Sequence, residues 1–239
     1  EGELFNLSPE QAAVFTREGD PTCMQGGFQC VVGQFAHYEK AVEVFRSGEG
    51  RPWGDHHSCL FCGTDRFFKP GYNANLLENW IPALEGVDAK LQANGKVADV
   101  GCGYGASTIL MAKHYPNSVI HGFDYHEPSI VAARESAEKE GVSNVEFFLS
   151  DAASLPGNGY DLACIFDALH DMGDPVGAAS SIREALNPDG TFMVVEPMAG
   201  DSLKDNQHVL ASLFYGFSTL VCVPTSKSQN VGLALGAQA

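Results

Sequence analysis

The sequence predicts an α/β fold built on a doubly wound, mostly parallel sheet, and three observations predict it. From Lys96 onward, short apolar runs alternate with helical stretches of about 10–15 residues. A glycine-rich turn, D-V-G-C-G-Y-G (Asp99–Gly105), joins the first run to the first helix. Acidic residues then close the successive runs, where a sheet of this kind places its ligands.

In chain order, K-V-A-D-V-G (96–101) is the first strand and A-S-T-I-L-M-A-K-H-Y (106–115) its helix. S-V-I-H-G-F-D (118–124) is the second strand. The helix over 127–140 has Pro128 in its first turn and Gly141 closing it. Strands follow at 144–150 and 160–167. A helix opened by Pro175 spans 175–186, and a fifth strand spans 191–197. Residues 1–95 form a separate helical N-terminal segment. Leu7–Gln11 reads as a helix start, with Ser8 as cap, Pro9 first and Gln11 third. Helices are expected near 9–18, 29–46 and 72–93, and the Gly-, His- and aromatic-rich stretch 47–71 is expected to be a long loop. Residues 206–223 are a helix with a broad apolar surface: a core helix, a lid over substrate or a homodimer contact.

A net charge of −16 repels phosphates, so neither nucleic acid nor an anionic membrane is an expected partner of this stretch. No apolar run of membrane-spanning length is expected. Seven cysteines without regular spacing argue against a disulfide framework and for a reducing cytoplasm; Cys102 and Cys164 fall inside strand-like runs. The chain begins without Met or a signal-like segment and reads as a fragment.

The chemistry is concentrated around the glycine turn. Gly101, Gly103 and Gly105 let the backbone pass close to a bound group, and the helix behind them offers free N–H groups to an anion such as a ligand carboxylate. Asp124 ends the second strand, where a carboxylate can accept ribose hydroxyl protons. Asp151, in L-S-D-A, can take adenine amino protons. Asp167 and Asp99 put negative charge where an ammonium and a sulfonium would lie. A pyrophosphate would be repelled there, which favours a cationic methyl donor over a nicotinamide dinucleotide.

D-V-G-C-G-Y-G, F-D-Y-H, L-S-D-A, F-D-A-L-H-D-M-G-D-P and L-N-P-D-G-T-F-M-V-V-E-P together resemble the class I S-adenosylmethionine-dependent methyltransferases, over residues 96 to about 200. More narrowly, G-F-D-Y-H, L-H-D-M-G-D-P-V-G-A-A and F-S-T-L-V-C-V-P resemble bacterial methyltransferases with an N-terminal winged helix, some of them labelled transcriptional regulators. The resemblance implies a Rossmann-like fold, S-adenosyl-L-methionine as cofactor and a small-molecule acceptor, with O-methylation the favoured reaction. It makes L-F-N-L-S-P-E-Q (4–11) the last wing strand of a largely missing domain. It makes residues 96–239 a cofactor-binding domain that lacks the last two of seven strands.

Carried over by position, Gly101, Gly103 and Gly105 line the methionine part, with Asp99 near its ammonium. Asp124 holds the ribose, Tyr125 flanks the adenine, and Asp151 and Ala152 read its edge. Asp167 sits between cofactor and acceptor. His170, in L-H-D-M-G-D, resembles the general base of small-molecule O-methyltransferases, with Asp171 or Asp174 orienting the ring; Met172 stands where that family often has Trp. Phe67, Phe68, Tyr72 and Trp80 are pocket or core candidates. The C-x-x-C of D-H-H-S-C-L-F-C (55–62) lacks a second ligand pair, so no metal is expected. The rival readings are a non-catalytic S-adenosylmethionine sensor and an NAD-dependent oxidoreductase.

Overall fold

The computed structural model describes residues 5–238. Five strands form one parallel sheet: β1 (Lys96–Val100), β2 (Val119–Asp124), β3 (Val145–Leu149), β4 (Tyr160–Phe166) and β5 (Leu186–Val195). Their order is β3-β2-β1-β4-β5, so the chain reverses direction across the sheet between β1 and β4. Period-two alternation puts Val97, Leu162, Cys164 and Phe166 into one core and Ala98, Val100, Ala163 and Ile165 into the other. Both faces are therefore buried, which is why these strands read as continuous apolar runs.

The fifth strand starts at Leu186, five residues before its expected start, because N-P-D-G continues the backbone into a register shift opposite Tyr160 and Leu162. Five strands are present among the described residues; the terminal pair that the resemblance implies is not among them.

The N-terminal segment departs more from expectation. Helix α1 (Pro9–Phe15) begins as read: Ser8 accepts from the Gln11 N–H, and the Gln11 side chain returns the bond. Residues 5–8 form no strand, and Leu4, the start of the expected wing, lies outside the described residues. The expected helix 29–46 is two helices, α2 (Gln25–Ala36) and α3 (Tyr38–Ser47), broken at His37.

Most of the expected loop 47–71 is instead helix α4 (Ser58–Asn75), after a short 3₁₀ turn at Trp53–Asp55. Gly63, one of its two glycines, is a packing residue. A Cβ on Gly63 would meet the Cys30 sulfur at 2.7 Å, and one on Gly26 would lie 2.4 Å from the Phe67 nitrogen. Bare backbone lets α2 and α4 cross in contact, and sequence alone does not distinguish that use of glycine from a turn. The expected helix 72–93 is likewise interrupted. A π turn (Leu76–Trp80) follows α4, and α5 (Val87–Ala93) starts after Gly86 in the left-handed region. Leu76, Ile81 and Leu91 from this stretch are fully buried in the same core as β1 and β4.

Helices α6 (Ala106–His114), α7 (Glu127–Glu140) and α8 (Pro175–Ala185) follow the reading closely. At the C-terminal end, α9 (Val209–Phe217), a π turn (Ser218–Cys222) and α10 (Val223–Lys227) run on as one helical rod. This corrects the expectation that no run reaches spanning length: Val209–Lys227 has 19 residues and mean hydropathy 1.5, enough by length and composition to cross a membrane. A third of that window is buried, including Val221, Thr225 and Ser226.

Candidate active site

At the C-terminal ends of β1 and β4, where the strand order reverses, the structure encloses a cavity of about 780 Å³. Its floor is the glycine turn at Gly101 and Gly103; Gly105, expected beside the methionine part, is absent from the lining and packs against Phe147 and Ala133 instead. Gly101, Gly103 and Gly105 all have positive φ, between +52° and +80°. A Cβ on Gly101 would meet the Ala168 methyl at 2.8 Å, and one on Gly105 the Phe147 ring at 2.9 Å. At Gly103 it would meet no protein atom within 4 Å, so there the bare backbone faces open space. The turn is fastened to β2: the Phe123 carbonyl accepts from the Gly101 and Cys102 N–H groups at 2.8 and 3.0 Å.

Asp124 lines the cavity and supports its floor. One carboxylate oxygen accepts from the Gly103 N–H (2.9 Å), the other from the His126 N–H (2.8 Å). Each oxygen keeps a further lone pair for a ligand. Burial pushes its carboxyl above the usual range. Tyr125, half exposed, and Ala152 lie on the same wall. Asp151 lines it too, while capping the turn Ala152–Ser154 by accepting from the Ala153 N–H.

Asp99 is placed differently from the other candidates. It is buried behind the glycine turn and is absent from the cavity lining. One oxygen accepts from the hydroxyls of Ser107 (2.6 Å) and Thr108 (2.7 Å), which ties β1 to α6. The other oxygen has no partner. Burial pushes this carboxyl up to about 6.

Asp167 follows β4 with φ +51°, a left-handed conformation uncommon outside glycine. It accepts from the Tyr72 hydroxyl at 3.0 Å, and burial pushes it up to about 7. Tyr72 comes from α4 and packs against Phe68, Trp80 and Phe166. Phe67, Phe68 and Tyr72 line the cavity, whereas Trp80 packs on the core.

His170 sits on a 3₁₀ turn (Leu169–Asp171) with its ring nearly buried. Its Nδ1 bonds Glu196, which the sequence reading did not single out although Glu196 directly follows β5. The second Glu196 oxygen accepts from the Leu169 N–H at 2.7 Å, so one carboxylate fixes both turn and ring. The Nε2 lies 3.5 Å from Asp171. Burial opposes protonation of the ring, but Asp171 and Glu196 outweigh it and raise the pKa to about 9. Of the two expected orienting residues, Asp171 meets the ring. Asp174 does not; it caps α8 by accepting from the Gly177 N–H.

In the segment 55–62, His57 caps α4 through the Cys59 N–H. His56 is buried with both ring nitrogens unpartnered, and burial drives its pKa down to about 3.

The charged groups on the cavity wall are Asp65, Asp124, Asp151, Asp167, Asp171, Asp174 and Glu196, with His170 as the sole potential cation among the described lining residues. No Lys or Arg is among them. Such a wall selects a positively charged ligand and opposes a pyrophosphate.

Residues 91–230 match the family model described as a methyltransferase domain. The chain belongs to the S-adenosylmethionine-dependent methyltransferases. It is 29% identical over 177 residues to a sterol 24-C-methyltransferase of Gibberella zeae, covering 72% of this chain and 43% of that protein. It is also 29% identical over 142 residues to the ubiquinone biosynthesis O-methyltransferase of Acinetobacter baylyi, covering 58% of this chain and 54% of that one. The methyltransferase chain thus spans about half the length of these relatives. Among solved structures, mitomycin 7-O-methyltransferase shares the fold over 91% of this chain and 64% of its own, with TM-score 0.65 at 18% identity. The shared fold therefore takes in the N-terminal helices as well as the sheet.

The family's cofactor, S-adenosylmethionine, fits this cavity on chemical grounds. The carboxylate wall suits its sulfonium and ammonium, and the open face at Gly103 admits close backbone contact.

Proposed function

We propose that this methyltransferase domain transfers the methyl group of S-adenosylmethionine to an oxygen of a small, largely apolar acceptor. The observation that carries the reading is the cavity wall: carboxylates and one imidazole, no Lys or Arg, beside a floor of left-handed glycines. Its volume lies in the upper part of the range of about 300–1,000 Å³ found for small-molecule sites, with room for cofactor and acceptor together. Met24, Phe61, Phe67, Phe68, Phe214 and Phe217 give it a broad apolar side, which suits a ring-bearing acceptor and excludes water.

When bound, S-adenosylmethionine supplies an electrophilic methyl group. The protein's part is alignment and handling of the acceptor's proton. Asp124 holds the ribose and Asp151 and Ala152 the adenine edge, with Tyr125 flanking it. Asp167 faces the positive centre. Glu196 holds Nδ1 of His170; because the ring's pKa is raised to about 9, Nε2 is free to take the acceptor's hydroxyl proton in a fraction of molecules that grows as pH rises toward 9, and Asp171 stabilises the imidazolium that results. The N-terminal helices α2 and α4 act as an accessory region that walls the acceptor side.

Calorimetric titration with S-adenosylmethionine, S-adenosylhomocysteine and NAD tests the cofactor reading; heat with NAD alone would overturn it. With a hydroxyl acceptor found by screening, His170→Ala is expected to lower turnover by about 10²–10⁴-fold with cofactor affinity unchanged. Full turnover in that variant would remove His170 as the base.

A further inference from the structure

We propose that His170, Asp171 and Cys222 form a binding site for one thiophilic divalent cation of the zinc class, on the cavity wall where β4 meets the C-terminal helical rod. Ligand atoms of these three residues lie within 4.8 Å of one another. The Nε2 of His170 and Oδ1 of Asp171 are 3.5 Å apart. Two ligands about 2.0–2.1 Å from a tetrahedral zinc ion stand roughly 3.3 Å apart, so this edge needs little adjustment. That Asp171 oxygen is buried without a hydrogen-bond partner.

The support around the three residues is of the kind a metal site requires. Glu196 accepts from the far ring nitrogen of His170, as a carboxylate does behind a metal-bound histidine, and the Leu169 N–H fixes Glu196 in turn. Cys222 is the last residue of the π turn, a helix irregularity common at functional sites. The rod that carries it is stapled to the His170 segment: Gln229 donates to the Asp171 carbonyl (2.8 Å), and Ser226 to the Met172 carbonyl (2.8 Å). Cys222 is thereby held beside residues some fifty positions earlier, whether or not an ion is bound.

The donor set decides the ion. One thiolate, one imidazole and one carboxylate suit zinc or cobalt, and do not suit magnesium or calcium, which take oxygen ligands. Three protein ligands leave a fourth position open, and all three residues line the cavity. On binding, the thiol proton and any Nε2 proton leave to solvent, and sulfur and nitrogen donate their pairs to the metal. The ion would use the same Nε2 lone pair that removes the acceptor's proton, so the two uses of His170 exclude each other.

Cobalt(II) is the probe, added to the reduced, chelator-treated protein. One equivalent is expected to produce a near-ultraviolet thiolate-to-cobalt absorption, lost in Cys222→Ser. The Asp171→Asn and Glu196→Gln variants should bind at least about tenfold more weakly. A wild-type circular dichroism spectrum and melting transition report that a variant is folded; if Cys222→Ser fails that control, Asp171→Asn carries the test. Absence of the band in the wild type, its persistence in folded Cys222→Ser, or unchanged affinity in Asp171→Asn would overturn the site. No acceptor or turnover enters these measurements, so failure of the methyl-transfer reading leaves them intact.

Discussion

The glycine turn and the α2–α4 crossing use the same residue type for opposite purposes. In the turn, Gly101, Gly103 and Gly105 carry positive φ, and the tight corner they make brings the backbone of Gly101 and Gly103 to the cavity. In the crossing, Gly26 and Gly63 are ordinary helical residues whose missing Cβ lets two helices touch. The turn is a local device: a strand, a tight corner and a helix, all within a dozen residues. The crossing depends on contacts between residues some forty positions apart. The two halves of the cavity inherit this difference. Its floor is set by the backbone of consecutive residues, while its roof is set by side chains that long-range packing delivers.

Substitution should separate the two halves. Gly101→Val places a branched side chain at φ +76° against the Ala168 methyl, and S-adenosylmethionine affinity should fall by more than about 100-fold. Gly103→Ala is the sharper form of that test, because no protein atom opposes its Cβ. It should fold with a penalty of roughly 1 kcal/mol from the left-handed backbone, yet still lose affinity where the cofactor needs the space. Native affinity in Gly103→Ala would show that the ligand does not approach the turn closely.

Gly26→Ala should do the reverse. Its Cβ meets backbone atoms of Phe67 and Gly63, so overpacking costs about 1–3 kcal/mol. In a chain of this size that lowers the melting temperature by about 2–12 °C, with cofactor affinity within about threefold of wild type. A melting curve and a calorimetric titration on one sample check both halves. A stable Gly26→Ala protein with weakened cofactor binding would invert the comparison.

The same distinction explains what the sequence made legible. The five strands, the glycine turn and the acids at the strand ends could be read because each is announced within a few residues by apolar runs, turn glycines and caps. Asp124, Tyr125, Asp151, Ala152, Asp167 and His170 do converge on one cavity. Asp99 belongs to the same motif but faces Ser107 and Thr108, since period-two alternation turns it toward α6. Helix α4 was hidden because its two glycines, its proline and its aromatic residues, preceded by His56 and His57, imitate a loop. Glu196 was hidden because its partner, His170, lies 26 residues earlier and meets it only through β5 pairing beside β4. One signal was available: in a parallel sheet, an acid just after a strand lies at the same end as every other strand-end acid.

The finest test of how the roof serves the floor lies in the Tyr72–Asp167 contact, which joins α4 to the end of β4. Tyr72 from α4, Glu196 from beyond β5, and His170 and Asp171 from the 3₁₀ turn act on Asp167, whose carboxyl burial pushes up to about 7. Below that pH the empty site holds a proton there. A positively charged cofactor favours the anion, so binding expels the proton and affinity rises with pH, levelling above about pH 8. Between pH 6 and 8 the anionic fraction changes by about tenfold, which bounds the effect. Tyr72→Phe removes a hydroxyl that donates to the anion, so Asp167 should protonate more readily and the midpoint should move to higher pH. Asp167→Asn should flatten the profile. Titrations of the three proteins across this range decide the matter: a flat profile in the wild type would mean that Asp167 does not face the cofactor's charge. A midpoint unmoved in Tyr72→Phe would mean that α4 covers the site without tuning it.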